Sequence, residues 1–409
     1  MGEKRRAALP SNLRRKNYLS ILNIFRTGKA LSANDISYQT GISRATVMKA
    51  INSFISKGLV ESAGKGDSTE IGGKKPELFR FCMNRYLLCI GLWSTEMVVA
   101  LYDLTNTLIA QKTANYNMKD DVHTFLDTIQ RVAENLLNEV NSESELLYGV
   151  SLCLGGYLDE ETGVLQYSIL TPEWGKKVPL RQLLSERFPN AEITVDNVAR
   201  MSACAAVLDN PEYLDKRVAT IYTDIGVSAC YINRGHVEHG ARSLIGEIGL
   251  TAVALNSAKA YESTAPALFS TLINDHTICG EILENKEKLK TSVLSRYQDD
   301  LRIEHVFKSA EEGDSFAKET VRKTAWLFSA VLNNMIVNFD PDCVIMQGTY
   351  SRAGEWFDQC LREGLECFSR MTSASGLEII YDQRSLISLQ MSGMTKVMSR
   401  KFFSSEEWL

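Results

Sequence analysis

The sequence predicts an α/β protein in which two lobes follow a small basic N-terminal domain. The chain has 409 residues, too many for one small core, which favours two or three domains. From Tyr86 onward, apolar strand runs alternate with amphipathic helices, and this alternation occurs twice. Residues 1–80 carry 15 Lys and Arg but only 6 Asp and Glu, a net charge of +9 in a chain whose total is −5. A basic head on an acidic body indicates that the head meets a polyanion, although charge alone also fits a solvated surface without a partner.

The composition excludes several classes of protein. Apolar runs such as "YLLCIGLW" are far shorter than the ~20 residues of a membrane span. The basic N-terminus has no apolar stretch behind it and does not resemble a secretory signal, so a cytoplasmic protein is expected. The nine cysteines include no Cys-x-x-Cys pair, which predicts buried, reduced thiols without disulfides or a thiolate zinc site.

The basic head begins with an amphipathic helix. Tyr18, Ile21, Leu22 and Phe25 follow the i, i+3, i+4, i+7 spacing of a buried helical stripe, and Gly28 then provides a stop. Ser32 is placed to cap a second helix, which Gly41 ends.

A third helix is predicted in "SRATVMKAINSFISKG", with Ser43 as its N-cap. Val47, Ile51 and Phe54 share its core face, and the opposite face is polar and basic. Two helices joined by a glycine turn, the second with such an outer face, are typical of a helix-turn-helix that enters the DNA major groove. The alternative is a helical hairpin used for protein contacts.

The residues after the third helix predict a wing. "GLVES" and "ELFRF" are strand patterns, and the loop "GKGDSTEIGGKKP" between them is rich in glycine and lysine. The predicted unit is therefore a winged helix-turn-helix over residues 1–82. Its candidate DNA contacts fall into two groups, with the first four in the major groove and the last two on phosphates or in the minor groove: Ser43, Arg44, Thr46, Lys49, Lys65 and Lys74.

The body is predicted to contain two α/β lobes with a cleft between them. We expect the first lobe at residues 83–200, the second at 201–385, and a C-terminal helix at 386–409 that returns to the first lobe.

Several motifs of the body occur in a characteristic order. They are "GVSLCLGGYLDEETG", "TPEWGKKVPL", "VDNVA", "DIGVSACYINRG" and "GEIGL". Together with the winged helix, these motifs resemble a repressor-type member of the ROK family (repressors, open reading frames and kinases) from about residue 13 to 398. The resemblance implies a ribonuclease-H-like body of the actin and hexokinase type, with ATP and a sugar in the cleft of the kinases.

The sequence departs from the phosphate-binding and catalytic positions that the resemblance implies. Trp93 and Thr95 replace residues of the first phosphate cradle, and residues 226–230 keep one of the three glycines of the second. Gln347 stands for the first glycine of a Gly-Gly pair on the adenosine side. Val198 occupies the position of the catalytic Asp, and a valine side chain cannot take a proton from a sugar hydroxyl. We therefore expect no kinase activity, no catalytic residue and no cofactor.

The structural zinc site implied by the family is also missing. Leu250 stands where the family has a ligating His, and the segment after it has no cysteine. The five histidines show no ligand spacing: His123, His236, His239, His276 and His305.

The sugar-binding positions implied by the resemblance are partly kept. Four residues match them: Gly156, Asn197, Glu247 and Glu262. Leu170 and Leu250 replace a sugar-contacting Asn and His, which predicts a smaller, less polar or differently placed ligand, or no ligand. In the alternative interpretation, Asn197 caps the following helix and Glu247 has a structural role.

The predicted function is a transcriptional regulator, most simply a repressor of sugar-metabolism genes. A homodimer or a dimer of dimers would place two heads on a pseudo-palindromic DNA operator, and a carbohydrate in the cleft would change their spacing. Two alternatives remain open: a sugar kinase with degraded motifs, and a DNA-binding regulator that needs no ligand.

Overall fold

The computed structural model describes residues 10–66, 75–93, 96–117, 119–254, 267–368 and 376–408. Three of the positions named above, Lys74, Thr95 and Glu262, lie outside these residues, as does the side chain of Trp93.

The N-terminal head contains three helices and a small three-stranded antiparallel sheet. Its elements are α1 (Pro10–Ile24), β1 (Leu31–Ser32), α2 (Ala33–Thr40), α3 (Arg44–Ser56), β2 (Val60–Lys65) and β3 (Glu77–Phe81). The strand order is β1-β3-β2, so the strand pair predicted as a wing is extended by a short strand in front of α2.

The core of the head follows the predicted periodicity. Val47, Ile51 and Phe54 of α3 are fully buried, and the Tyr18 ring of α1 packs edge-on against Phe54. The Ser32 side chain accepts a hydrogen bond from the backbone amide of Asp35, and the Asp35 side chain accepts one from the backbone amide of Ser32. This reciprocal pair is a capping box at the start of α2.

The first lobe is built on a five-stranded sheet. Its elements are β4 (Tyr86–Trp93), β5 (Glu96–Asp103), β6 (Leu108–Asn115), α4 (Val122–Glu139), β7 (Leu147–Leu154), β8 (Tyr157–Asp159), β9 (Val164–Tyr167), α5 (Leu180–Arg187) and β10 (Glu192–Asn197). The sheet order is β6-β5-β4-β7-β10, with β4, β7 and β10 parallel.

The second sheet repeats this topology. Its strands are β11 (Arg217–Thr223), β12 (Val227–Asn233), β13 (His236–Val237), β16 (Cys343–Gly348) and β17 (Glu378–Asp382), in the order β13-β12-β11-β16-β17. In each sheet the first strand pairs antiparallel with the second and parallel with the fourth. This duplicated topology is that of the predicted two-lobed, ribonuclease-H-like fold.

Helices and one short strand pair complete the body. They are α6 (Val198–Asp209), β14 (Ala252–Ala254), β15 (Ala267–Leu268), α7 (Phe269–Ile273), α8 (Asp275–Glu284), α9 (Lys286–Thr291), α10 (Ile303–Glu311), α11 (Ser315–Phe339), α12 (Glu355–Phe368) and α13 (Leu386–Phe403).

Two helices, α6 and α13, form the layer between the sheets. The buried face of α6 packs on β11, β12 and β16, and α13 packs on β4 and β7. The two helices cross so closely that a Cβ atom at Gly393 would lie 1.9 Å from the carbonyl oxygen of Met201. Glycine is therefore required at this crossing.

The head and the body share one hydrophobic core. Phe81 of the head contacts Phe402 and Phe403 of α13, with ring centroids 5.7 and 4.9 Å apart. Lys57 donates a hydrogen bond to the carbonyl oxygen of Trp408 at 3.1 Å, and Arg15 forms an ion pair with Glu406. The head is thus packed against α13 and the residues that follow it.

The cysteine prediction is correct for seven residues and wrong for two. All nine thiols are free, but Cys82 and Cys367 are exposed. Among the described residues, no helix is both long and apolar enough to cross a membrane.

Candidate nucleic-acid interface and interlobe cleft

The outer face of α3 is the candidate nucleic-acid interface. The Ser43 Oγ accepts a hydrogen bond from the Thr46 amide at 3.4 Å and lies 3.0 Å from the Thr46 hydroxyl, which fixes the start of the helix. Arg44 and Lys49 are exposed, while the opposite face of the helix is buried in the head. Lys65 is exposed on β2, beside the wing. The exposed basic side chains can therefore contact a polyanion without any change in the core of the head.

Sequence reasoning missed one candidate on the preceding helix. Tyr38 of α2 is 91% exposed, the highest value among the large hydrophobic residues of the described chain. Its hydroxyl group can donate to a phosphate, a common mode of positioning on DNA. Two positions before it, Ile36 is fully buried, so the helical pattern could have indicated this exposure.

In the cleft, Asn197 and Gly156 are in direct contact. Asn197 lies at the junction of β10 and α6 and caps α6, because its Oδ1 accepts from the Ala199 amide at 2.8 Å. Its Nδ2 donates to the carbonyl oxygen of Gly156 at 2.7 Å. One amide hydrogen and one lone pair of the Asn197 side chain remain for another partner.

A charged network lies beside this pair. Asp196 accepts hydrogen bonds from the Asn197 amide at 2.6 Å and from the Arg200 Nε at 2.5 Å. The Nη2 of Arg200 lies 3.7 Å from Glu160, and all three charged side chains are mostly buried. Burial alone would lower the pKa of Arg200, but Asp196 and Glu160 raise it. The carboxyl group of Asp196 is therefore held in an ion pair with Arg200.

The same network connects the two lobes. The Oε1 of Glu160 in the first lobe lies 2.7 Å from the Nδ1 of His239 in the second. The Tyr157 hydroxyl donates to the carbonyl oxygen of Arg242. We call these contacts the interlobe bridge. Its members are separated by up to 85 residues in the chain, so no local pattern could have revealed them.

Glu247 lies on the second-lobe side of the cleft. It precedes a tight turn at Ile248–Leu250 and is partly buried. Burial raises the pKa of Glu247, and the nearby charge of Arg200 partly offsets this rise. Its carboxyl group makes no ion pair within the described residues.

Protein side chains fill the space beside β4 and at Gln347. Within β4, a Cβ on Gly91 would lie 2.7 Å from the Ile387 side chain of α13. Gln347 is fully buried, and its Nε2 donates to the carbonyl oxygen of Ser202 at 3.0 Å and to Asp382 at 3.3 Å.

The residue at the position of the family's catalytic base also packs against other side chains. Val198 is half-buried and packs against the apolar residues between α6 and α13. In the described part of the chain, no group of His, Cys, Asp and Glu is arranged to hold a metal ion.

Comparison with known sequences places this geometry in a family. Residues 87–382 match the sequence profile of the ROK family, and residues 17–64 match that of the IclR helix-turn-helix domain. The chain belongs to the ROK family. The ROK match alone spans more than half of the chain, and it covers both five-stranded sheets and the cleft between them.

Individual relatives include both regulators and kinases. The chain is 23% identical to the xylose repressor of Caldicellulosiruptor bescii, over 86% of this chain and 87% of that protein. It is 21% identical to the glucokinase of Halalkalibacterium halodurans, over 72% of this chain and 89% of that protein. Among solved structures, a ROK family transcriptional regulator described as a homologue of the Escherichia coli MLC protein aligns with a TM-score of 0.76 and 16% identity, over 97% of this chain and 99% of that chain. This structural similarity confirms the fold, including the head.

Proposed function

We propose that this protein is a DNA-binding transcriptional repressor of sugar-metabolism genes, whose operator binding changes when a carbohydrate or a derivative occupies the interlobe cleft. The observation that carries the proposal is the shared core of head and body. A helix-turn-helix with an exposed basic face packs on α13, and α13 also lies between the two lobes. A change in the angle between the lobes would therefore shift α13, and the side chains packed between α13 and the head would transmit that shift to the head.

The relatives support the same proposal. A protein named as a xylose repressor is similar over nearly the whole length of both chains, and the glucokinase matches a smaller share of this one. We infer that the protein acts in the cytoplasm as a homodimer or tetramer, since two heads are needed to read a pseudo-palindromic operator.

We also propose that the protein lacks kinase activity. Phosphoryl transfer needs a base for the sugar hydroxyl and glycine amides that approach the phosphates closely. Val198 cannot act as the base, Asp196 is bonded to Arg200, and Gln347 fills an expected glycine position. A coupled ADP-release assay over a panel of sugars should show no turnover above background, and turnover comparable with a true sugar kinase would disprove this part of the proposal.

The experiment that tests regulation has two stages. First, duplexes that the protein prefers are selected from a random library, and their affinity is measured by fluorescence anisotropy against a scrambled duplex. Second, the free sugars xylose, glucose, galactose and N-acetylglucosamine are added to the complex. We expect at least about 10³-fold preference for the selected duplex at physiological salt and a loss of affinity with one class of ligand. If no duplex is preferred over the scrambled one, the proposal is wrong.

A further inference from the structure

Several exposed apolar side chains lie on the segments next to Gly156 and Glu247. There are six of them, with exposed fractions between 41% and 66%, and we call them the apolar rim: Tyr167, Ile169, Ile225, Leu244, Ile245 and Leu250. Clustered exposure of this kind marks a binding surface more often than scattered single residues do.

The first-lobe part of the rim lies next to Gly156 and Asn197. A Cβ on Gly156 would lie 2.9 Å from the carbonyl oxygen of Tyr167. The Leu170 side chain covers the neighbouring Gly155, since a Cβ there would lie 2.9 Å from its Cδ1. The apolar side chains therefore begin where the polar floor of the cleft ends.

The second-lobe part of the rim surrounds Glu247. The amide of Glu247 donates to the carbonyl oxygen of Leu244, and the amide of Leu250 donates to that of Glu247 at 3.1 Å. Gly249 in the same turn packs against the carbonyl oxygen of Val227, close to Ile225. The turn thus places Glu247, whose carboxyl group is suited to hydroxyls, between the exposed residues Leu244 and Leu250 along the chain.

Contact between the two lobes does not by itself bury the apolar rim. The interlobe bridge already joins the lobes at this side of the cleft, through Glu160 with His239 and Tyr157 with Arg242. The rim residues remain exposed although these contacts are made.

We propose that the effector is a glycoside with an apolar aglycone, an aryl or short alkyl group, rather than a free sugar. The hydroxylated ring lies on the floor formed by Gly156, Asn197 and Glu247, and the aglycone covers Leu170 and the apolar rim, which includes Leu250. This inference rests on the proposed function and names the class of its ligand. Leu170 and Leu250, which replace the polar residues expected from the family, are then the residues that determine specificity.

The test uses the unaltered full-length protein and matched ligands. Affinities for free xylose and glucose are compared by calorimetry with those for the methyl and phenyl β-glycosides of each sugar. Burial of a phenyl ring should make the phenyl glycoside bind at least about tenfold more tightly than the methyl glycoside of the same sugar. Phenol, which lacks the sugar, should bind far more weakly than either.

Three outcomes would overturn the inference. They are equal affinity for methyl and phenyl glycosides, the absence of phenyl glycoside binding, and phenol binding as tight as that of the phenyl glycoside. The proposed function is judged separately, because free sugars that bind the cleft and release DNA would support it even when phenyl glycosides have no advantage.

Substitutions then test which residues cause the preference for phenyl over methyl glycosides. The double variant Leu170→Asn, Leu250→His introduces the polar residues of the family and should bring the affinity ratio of phenyl to methyl glycoside close to one. Leu108→Asn is the matched control, because Leu108 is 46% exposed on β6 at the edge of the first sheet. It should leave the ratio unchanged. An unchanged ratio in the double variant, with an unchanged melting temperature, would contradict the assignment of these two leucines.

Discussion

Asn197 shows how one side chain can support the fold and still offer atoms to a ligand. Sequence reasoning left two interpretations open, a ligand contact and a helix cap. The structure shows the cap and adds the hydrogen bond to Gly156, which joins two segments of the cleft floor. The two interpretations are compatible, because the amide keeps a donor and a lone pair.

Asn197→Ala should lower the free energy of unfolding by about 2–3 kcal/mol. The substitution removes a helix cap and leaves the carbonyl oxygen of Gly156 without its donor. Urea unfolding followed by circular dichroism measures the loss. Asn135→Ala, at an exposed position of α4, is the control and should change stability by less than about 0.5 kcal/mol. Equal effects of the two substitutions would contradict the structural role.

Arg44→Ala and Lys65→Ala should weaken DNA binding in different ways. Arg44 lies at the exposed N-terminal end of α3, so its loss should reduce discrimination between the preferred and a mismatched duplex by about 1–3 kcal/mol. Lys65 should contact phosphate, so its loss should weaken all duplexes similarly and lower the salt slope by about one. Anisotropy titrations at several salt concentrations separate these effects. Uniform weakening by Arg44→Ala would show that Arg44 does not read bases.

The residues that could be predicted are those fixed by local pattern. Val47, Ile51 and Phe54 follow from the helical period, and Ser32 and Ser43 from capping chemistry. The bond between Asn197 and Gly156 joins positions 41 residues apart, and the pairing of Glu160 with His239 spans the two lobes. Such contacts depend on the tertiary fold and leave no periodic signal.

Among the elements, the crossing of α6 and α13 sets the spacing between the two sheets. Gly393→Ala should destabilise the protein by about 3 kcal/mol or more, because the new Cβ would lie 1.9 Å from the carbonyl oxygen of Met201 and the helices must separate. Thermal and urea unfolding measure this loss.

Gly280→Ala provides the matched control for this substitution. Gly280 also lies within a helix, α8, but a Cβ there would meet no atom within 4 Å. The alanine should stabilise the protein by up to about 1 kcal/mol, since it restricts the unfolded chain and favours the helix. Equal destabilisation by both substitutions would show that crowding against Met201 is not the reason for the loss at Gly393.

Most elements could be predicted from the sequence, but their packing could not. The strand runs and helices of the body occur close to the expected positions, because apolar periodicity and glycine turns are local signals. The contact of Gly393 with Met201 gives no such signal, since a glycine within a helical pattern is compatible with any neighbour.

At the scale of the whole molecule, acid should weaken the interlobe bridge. Burial alone would raise the pKa of Glu160, but hydrogen bonds from Ser243 and His239 and the charge of Arg200 lower it below its ordinary value of 4.5. A carboxyl group with a lowered pKa in the folded state stabilises the protein above its unfolded pKa. This contribution is lost as the pH falls through the folded value.

Glu160→Gln should therefore be less stable than the unaltered protein at pH 6–7, by about 1–3 kcal/mol, and the difference should shrink below pH 4.5. Urea unfolding at several pH values gives the curve. Glu161→Gln changes the exposed neighbouring residue and should show little difference at any of these values. A constant difference for Glu160→Gln across the whole range would contradict the electrostatic origin.

The packing of the head on residues beyond α13 has a consequence for biosynthesis. Lys57 and Trp408, which are hydrogen-bonded in the folded protein, are 351 residues apart in the chain. At the usual rates of translation, a ribosome needs tens of seconds to cover that distance. During this time the nascent head has no partner for Phe81, whose neighbours Phe402 and Phe403 have not yet been made. The head thus leaves the ribosome long before the residues that complete its core.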